Sequence, residues 1–153
     1  MVEVYFYHLT QQPLDATLRV LLEKSRAAGW RVVVRGRSEE TLARLDEQLW
    51  LRPEDGFLPH GRAGGDYDAE QPILLTKEVE VVGPFEALVS IEGAEIIADE
   101  VRDLARAMIL FDGHEAGDVE RARAQWRVLT AAGLPAKYWS EETGKWQMKA
   151  ESS

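Results

Sequence analysis

Two kinds of hydrophobic pattern alternate along the first half of the chain. Short runs rich in β-branched and aromatic residues predict strands at residues 2–7 and 30–34. Apolar residues at helical spacing predict helices at 14–28 and 38–50, the second with Ser38 as its N-cap. The order strand, helix, strand, helix indicates the beginning of a doubly wound α/β fold.

The second half repeats these patterns after a loop. Prolines and glycines dominate the stretch that follows Trp50, which predicts a loop of about fifteen residues rather than a linker between domains. Continuous apolar runs then indicate strands of a central sheet that is covered on both faces. We predict strands at 72–76, 87–91 and 108–111, a helix at 119–132 closed by Gly133, and a terminal hairpin at 137–140 and 145–148.

Length and composition narrow the class of protein. A chain of 153 residues predicts one domain, a three-layer α/β fold with a mostly parallel sheet. The net charge of −9 argues against direct coating of nucleic acid, and the lack of cysteine excludes disulfides and thiolate chemistry. An acidic residue, Glu3, stands where a signal peptide needs a basic one, and no apolar run is long enough to span a membrane. We therefore expect a cytoplasmic protein.

Motifs for nucleotide or metal chemistry do not occur in the sequence. Neither G-x-G-x-x-G nor G-x-x-x-x-G-K-[ST] is present. His8, His60 and His114 are far apart and lack helical metal-pair spacing, so we expect each to make an ordinary hydrogen bond near a strand end. The sequence thus predicts no catalytic residue, no cofactor and no metal ligand.

An aromatic cluster lies at the start of the long loop, in residues 49–60. Large apolar side chains such as Trp50 and Phe57 are costly on a solvated loop unless something covers them. They either fold back onto the core or contact a partner protein, because aromatic residues supply much of the anchoring energy at protein interfaces.

A second cluster lies on the last predicted helix. Arg123 and Arg127 are four residues apart and share one face, with Trp126 on its flank. Two cations beside an indole could hold an acidic peptide with an apolar end. The alternative is a core stripe with its arginines paired to nearby acids; the stripe would be Val119, Ala122, Trp126 and Leu129, and the acids Glu115, Asp118 and Glu120.

Taken together, the order and spacing of these motifs resemble the chi subunit family of bacterial DNA polymerase III. The resemblance runs nearly from end to end. The matching segments are 6–9, 29–34, 45–50, 57–60, 71–75, 111–113, 122–127 ending at Gly133, and Tyr138 with Trp139.

The resemblance implies a Rossmann-like α/β fold without a nucleotide, in a chi-like domain at 1–148 followed by a short tail at 149–153. It also implies a non-catalytic adaptor of the clamp loader. Arg123, Trp126 and Arg127 match positions that bind the acidic C-terminal tail of single-stranded DNA-binding protein. Trp50 and Phe57 match the surface that faces the psi subunit, or another clamp-loader protein in its place.

Two other functions stay open at this point. One is a repair adaptor that pairs a helicase with single-stranded DNA-binding protein through the same tail pocket. The other is a small nucleotide-binding α/β enzyme with an unorthodox site.

Overall fold

The computed structural model of the chain describes residues 2–51, 58–81, 83–141, 143 and 145–152. Strands and helices alternate within this part of the chain, as the hydrophobic pattern predicts. The strands are β1 (Glu3–Leu9), β2 (Val32–Arg35), β3 (Gly61–Arg62), β4 (Ile73–Thr76), β5 (Ala87–Ser90), β6 (Arg106–Asp112), β7 (Ala136–Ser140) and β8 (Gln147–Ser152). The helices are α1 (Leu14–Ala27), α2 (Glu39–Leu51), α3 (Ala98–Val101) and α4 (Ala116–Ala131).

All eight strands belong to one sheet, in the order β3-β4-β2-β5-β6-β1-β7-β8. Every neighbouring pair is parallel except β7 and β8, which form an antiparallel hairpin. The predicted mostly parallel sheet with a C-terminal hairpin is thus confirmed. The strand β8 runs to Ser152 and so includes residues 149–152, which the sequence analysis places after the hairpin.

Helices cover both faces of the sheet and create two separate hydrophobic cores. On one face, α1 and α2 bury Leu18, Leu22 and Leu45 against alternate residues of the strands. On the other face, α3 and α4 bury Val101 and Leu129 against the remaining alternate residues. A continuous apolar strand therefore serves both cores, because successive side chains point to opposite faces. This arrangement confirms the predicted three layers.

Local capping decides where the helices begin. Ser38 caps α2 as predicted, with its Oγ accepting a hydrogen bond from the Thr41 amide at 3.2 Å. The helix α4 begins at Ala116, three residues before the prediction, because the Glu115 carboxylate accepts hydrogen bonds from the amides of Gly117 and Asp118. Glutamate is a less common N-cap than serine or aspartate, which is why the pattern does not reveal this start.

Candidate protein-binding surfaces

The inner side of α4 forms the apolar core stripe that the sequence analysis gives as the alternative to a peptide-binding face. Ala122 and Leu129 are buried, and Val119 and Trp126 are half-buried against the same core. The stripe is therefore real, but it does not exclude a binding role. Trp126 is large enough to contact the core with part of its ring and solvent with the rest.

Trp126 is held at a fixed angle by two aromatic rings. Its indole meets Phe6 edge to face, with ring centroids 5.3 Å apart, and meets Tyr138 in the same manner at 6.1 Å. The Tyr138 hydroxyl is 2.9 Å from Nδ1 of His8, and this hydrogen bond restricts the tyrosine in turn. The half-exposed indole is thus a rigid apolar surface rather than a mobile side chain.

Two arginines extend from the outer side of α4 next to this indole. Arg123 is 63% exposed and lies 3.3 Å from a Glu120 carboxylate oxygen, a pair that water screens strongly. Arg127 is exposed and makes no ion pair within the part of the chain that the structure describes. The structure therefore brings Arg123, Trp126 and Arg127 together on one face, with one guanidinium unoccupied by described residues.

The first turn of α4 carries negative charge instead. Hydrogen bonds from the amides of Gly117 and Asp118 keep the pKa of Glu115 below its usual range. Burial, assisted by the charge of Glu115, raises the pKa of Asp118, although Arg121 opposes the shift at 2.9 Å. The first turn of α4 therefore carries two carboxylates that Arg121 partly neutralises, whereas the two arginines farther along carry positive charge.

The second predicted surface lies at the C-terminal end of α2. Trp50 is 46% exposed and its ring centroid is 4.3 Å from that of His60. The buried His60 is fixed by the Leu58 carbonyl, 2.7 Å from Nδ1, and by the Asp46 carboxylate, 3.0 Å from Nε2. Trp50 thus rests on a rigid imidazole. Phe57, the other residue predicted here, lies outside the described residues.

These two surfaces lie on opposite sides of the sheet. The helix α4 packs on the core that contains Val33 and Leu88, whereas α2 packs on the core that contains Val32 and Val34. A partner that contacts Trp50 therefore need not displace a ligand from Trp126.

Three glutamates occupy the backbone amides at the carboxyl edge of the sheet, where Rossmann-like folds commonly bind phosphate. Glu141 accepts hydrogen bonds from the amides of residues 10–12 before α1, at 2.8–3.0 Å. Glu92 accepts from the amides of Arg37 and Ser38 before α2, and Glu115 caps α4. The sequence analysis missed the contacts of Glu141 and Glu92, because residues far apart in the chain give no local signal.

The three histidines make the ordinary hydrogen bonds that the sequence analysis expects. His8 contacts the Tyr138 hydroxyl, His60 contacts Leu58 and Asp46, and His114 lies 2.9 Å from the Thr10 carbonyl. Among the described residues, no three His, Asp or Glu side chains are grouped so that they could hold a metal ion. No helix formed by these residues has the length and apolar character needed to cross a membrane.

Comparison with known protein families gives one match that spans most of the chain. The family described as "DNA polymerase III chi subunit, HolC" matches residues 1–137. This range includes α4 and α2 with their exposed tryptophan and arginine side chains, and it ends within β7. No curated protein matches the chain.

Proposed function

The chain belongs to the DNA polymerase III chi subunit family, and from this premise we propose that it is a non-catalytic adaptor of the polymerase III holoenzyme. In this proposal it connects the clamp loader, through psi or an equivalent protein, to the acidic C-terminal tail of single-stranded DNA-binding protein. Membership of the family itself indicates an accessory role in DNA replication. The partners and the cytoplasmic location belong to the proposal.

The observation that carries the proposal is the exposed face of α4. A peptide that ends in acidic residues and a phenylalanine needs cations for its carboxylates and a rigid apolar surface for its ring. Arg123 and Arg127 offer the cations, and the edge-packed indole of Trp126 offers the surface. The acidic residues at the start of α4 favour one direction for the peptide, with its carboxylates toward Arg127.

Such a contact is weak when it acts alone. Exposed ion pairs contribute about 0.2 to 1 kcal/mol each. Burial of one phenylalanine adds about 1.5 to 3 kcal/mol, before the cost of association is subtracted. An oligomeric single-stranded DNA-binding protein presents several tails at high effective concentration, so binding through more than one contact supplies the strength that one contact lacks.

The glutamates at the carboxyl edge of the sheet support a role without nucleotide chemistry. A phosphate group at the start of α1 would have to displace the buried Glu141 carboxylate from three amides. Glu92 and Glu115 occupy the corresponding amides before α2 and α4. This arrangement disfavours a small nucleotide-binding enzyme as the function.

The surface around Trp50 supports a second protein partner. An exposed indole that packs at a tilt against a fixed imidazole is a typical anchor for a protein interface. In the proposed polymerase role, psi or another clamp-loader protein binds this surface. Capture of a helicase in its place would indicate the repair adaptor.

The test is fluorescence anisotropy with a labelled acidic peptide that ends in Pro-Phe, beside the same peptide without its last phenylalanine. We expect saturable binding that needs this phenylalanine. We expect R127E to weaken binding by about tenfold or more, because it replaces an attraction with a repulsion at the peptide carboxylates.

The matched control is R37E, which makes the same charge change at an exposed arginine without an ion pair among the described residues. It should leave binding unchanged. Equal losses in R127E and R37E, or equal binding of the two peptides, would contradict a specific tail site on α4.

A further inference from the structure

An aromatic groove lies on the face of the sheet opposite α4, between α1 and the C-terminal hairpin. Its volume is about 390 Å³, which lies within the range of ligand-binding clefts. Tyr5 and Tyr7 of β1 lie between Leu21 of α1 on one side and Trp139 and Trp146 on the other. The family match ends at residue 137, so the hairpin side of the groove lies beyond the matched residues.

Large apolar side chains remain exposed around this groove. Val20 on α1 is 47% exposed, and Trp146 and Met148 at the hairpin are 36% and 46% exposed. The indole of Trp146 meets Tyr7 at right angles, with ring centroids 5.6 Å apart. A grouped apolar surface of this kind indicates a protein contact.

The polar groups in the groove are mainly hydrogen-bond donors. Thr17 donates to the Gln12 side-chain oxygen at 3.3 Å, which leaves the Gln12 amide nitrogen as a donor. The Trp146 indole and the Lys24 ammonium have no acceptor among the described residues. The indole nitrogen of Trp139 is buried and also lacks one. The groove therefore suits a ligand that offers acceptors without donors.

The charge of the groove narrows the kind of ligand further. Lys24 is the one charged side chain that lines the groove among the described residues, although the whole chain carries a net charge of −9. Burial raises the pKa of Tyr7 to about 12, so its hydroxyl stays neutral. Glu3 lies at one end, where it accepts a hydrogen bond from Tyr5 at 2.9 Å. An acidic side chain near Lys24 would thus be attracted to the groove and repelled by most of the remaining surface.

The geometry points to a docking site for a proline-rich segment of a partner protein that carries an acidic residue. Proline has a rigid apolar ring and no backbone N–H, so its extended helix presents carbonyl acceptors and few donors. Aromatic grooves are the usual receptors for such segments. One turn of this helix has three residues and is about 9 Å long. The acidic residue of the segment pairs with Lys24.

The test uses a fluorescein-labelled proline-rich peptide with one glutamate, and two comparison peptides. In one the prolines are replaced by alanine, and in the other the glutamate is replaced by lysine. We expect the first peptide to bind most tightly. W146A should weaken its binding by about tenfold, as expected when an aromatic anchor is lost. K24E should reverse the preference between the glutamate and lysine peptides.

Matched variants separate this site from other surfaces. W50A removes an exposed tryptophan on α2, and K149E makes the same charge change as K24E at an exposed lysine of β8. Both should bind the proline-rich peptide normally. R127E should also bind it normally, whereas W146A should still bind the acidic Phe-ended peptide. The proposed function and the groove can therefore fail independently.

Several results would overturn the groove proposal. One is equal binding of the alanine peptide, and another is no binding of the proline-rich peptide at millimolar concentration. Unchanged binding in W146A, with its fold verified by circular dichroism, would do the same. A concentration-dependent dimer that W146A abolishes would show that a second copy of the chain covers the groove instead.

Discussion

The Glu141 carboxylate fastens the C-terminal hairpin to the opposite end of the chain. It is 3% exposed, and one of its oxygens accepts hydrogen bonds from the amides of Thr10, Gln11 and Gln12 at 3.0, 2.8 and 2.9 Å. These amides belong to the turn that leads from β1 into α1. We predict that E141A destabilises the whole protein and does not merely loosen the hairpin.

The expected loss follows from the hydrogen bonds that disappear. A hydrogen bond to a charged group contributes about 1.5 to 3 kcal/mol, so three bonds set an upper limit of about 4.5 to 9 kcal/mol. The three amides share one oxygen and become partly hydrated in the variant. We therefore expect about 3 to 5 kcal/mol, the usual cost of removing one partner from a buried charged contact. At about 2 to 4 °C per kcal/mol, Tm should fall by about 6 to 20 °C.

Urea unfolding followed by tryptophan fluorescence measures the change in free energy. E141Q should lose about half as much as E141A, because it keeps a neutral acceptor and charged hydrogen bonds are about twice as strong. The control is E151A in the same hairpin, where the exposed carboxylate lies 3.8 Å from Lys137. That pair should contribute less than about 1 kcal/mol. A loss in E141A no larger than in E151A would refute the reasoning, since it would mean that water satisfies the three amides equally well.

Three further predictions concern other contacts. E115Q should destabilise the protein at neutral pH, as measured by urea unfolding. The stability that the ionised Glu115 contributes is fully present above its ordinary pKa of 4.5 and is lost as pH falls through its lowered pKa in the folded state, so the difference between E115Q and the parent should disappear there. H60F should cost about 1 to 3 kcal/mol in the same assay, because it removes the ring nitrogens from the buried Leu58 carbonyl and the part-buried Asp46 carbonyl. W50A should leave tail-peptide binding unchanged but weaken capture of purified psi in a pull-down; normal capture would remove this residue from the proposed partner surface.

The regular elements were predictable because local patterns encode them. The three valines at 32–34 of β2 are all buried, and α1 and α2 keep apolar residues at helical spacing. The short elements were not predictable. The helix α3 has four residues and β3 has two, too few for any periodicity. Contacts from distant segments stabilise α3, including the ion pair of Glu100 with Arg35.

The candidate site was predictable in its composition but not in its geometry. Helical spacing places Arg123 and Arg127 on one face. It cannot decide whether Trp126 is core or surface, because the answer depends on Phe6 and Tyr138, which are distant in the sequence. In the structure one part of the indole packs on the core and the rest faces solvent. The contacts of Glu141 were equally hidden, since they join residues about 130 positions apart.

The separation of the surfaces around Trp126 and Trp50 has a mechanical consequence for the proposed adaptor role. The two indoles belong to helices on opposite sides of one sheet, and each rests on rings that the core or a buried hydrogen bond holds in place. Binding at one side therefore requires no rearrangement that would reach the other. The two affinities should be independent, so coupling between the partners would arise from their connection through one rigid body rather than from allostery. A tail peptide that changed the affinity for psi would contradict this view.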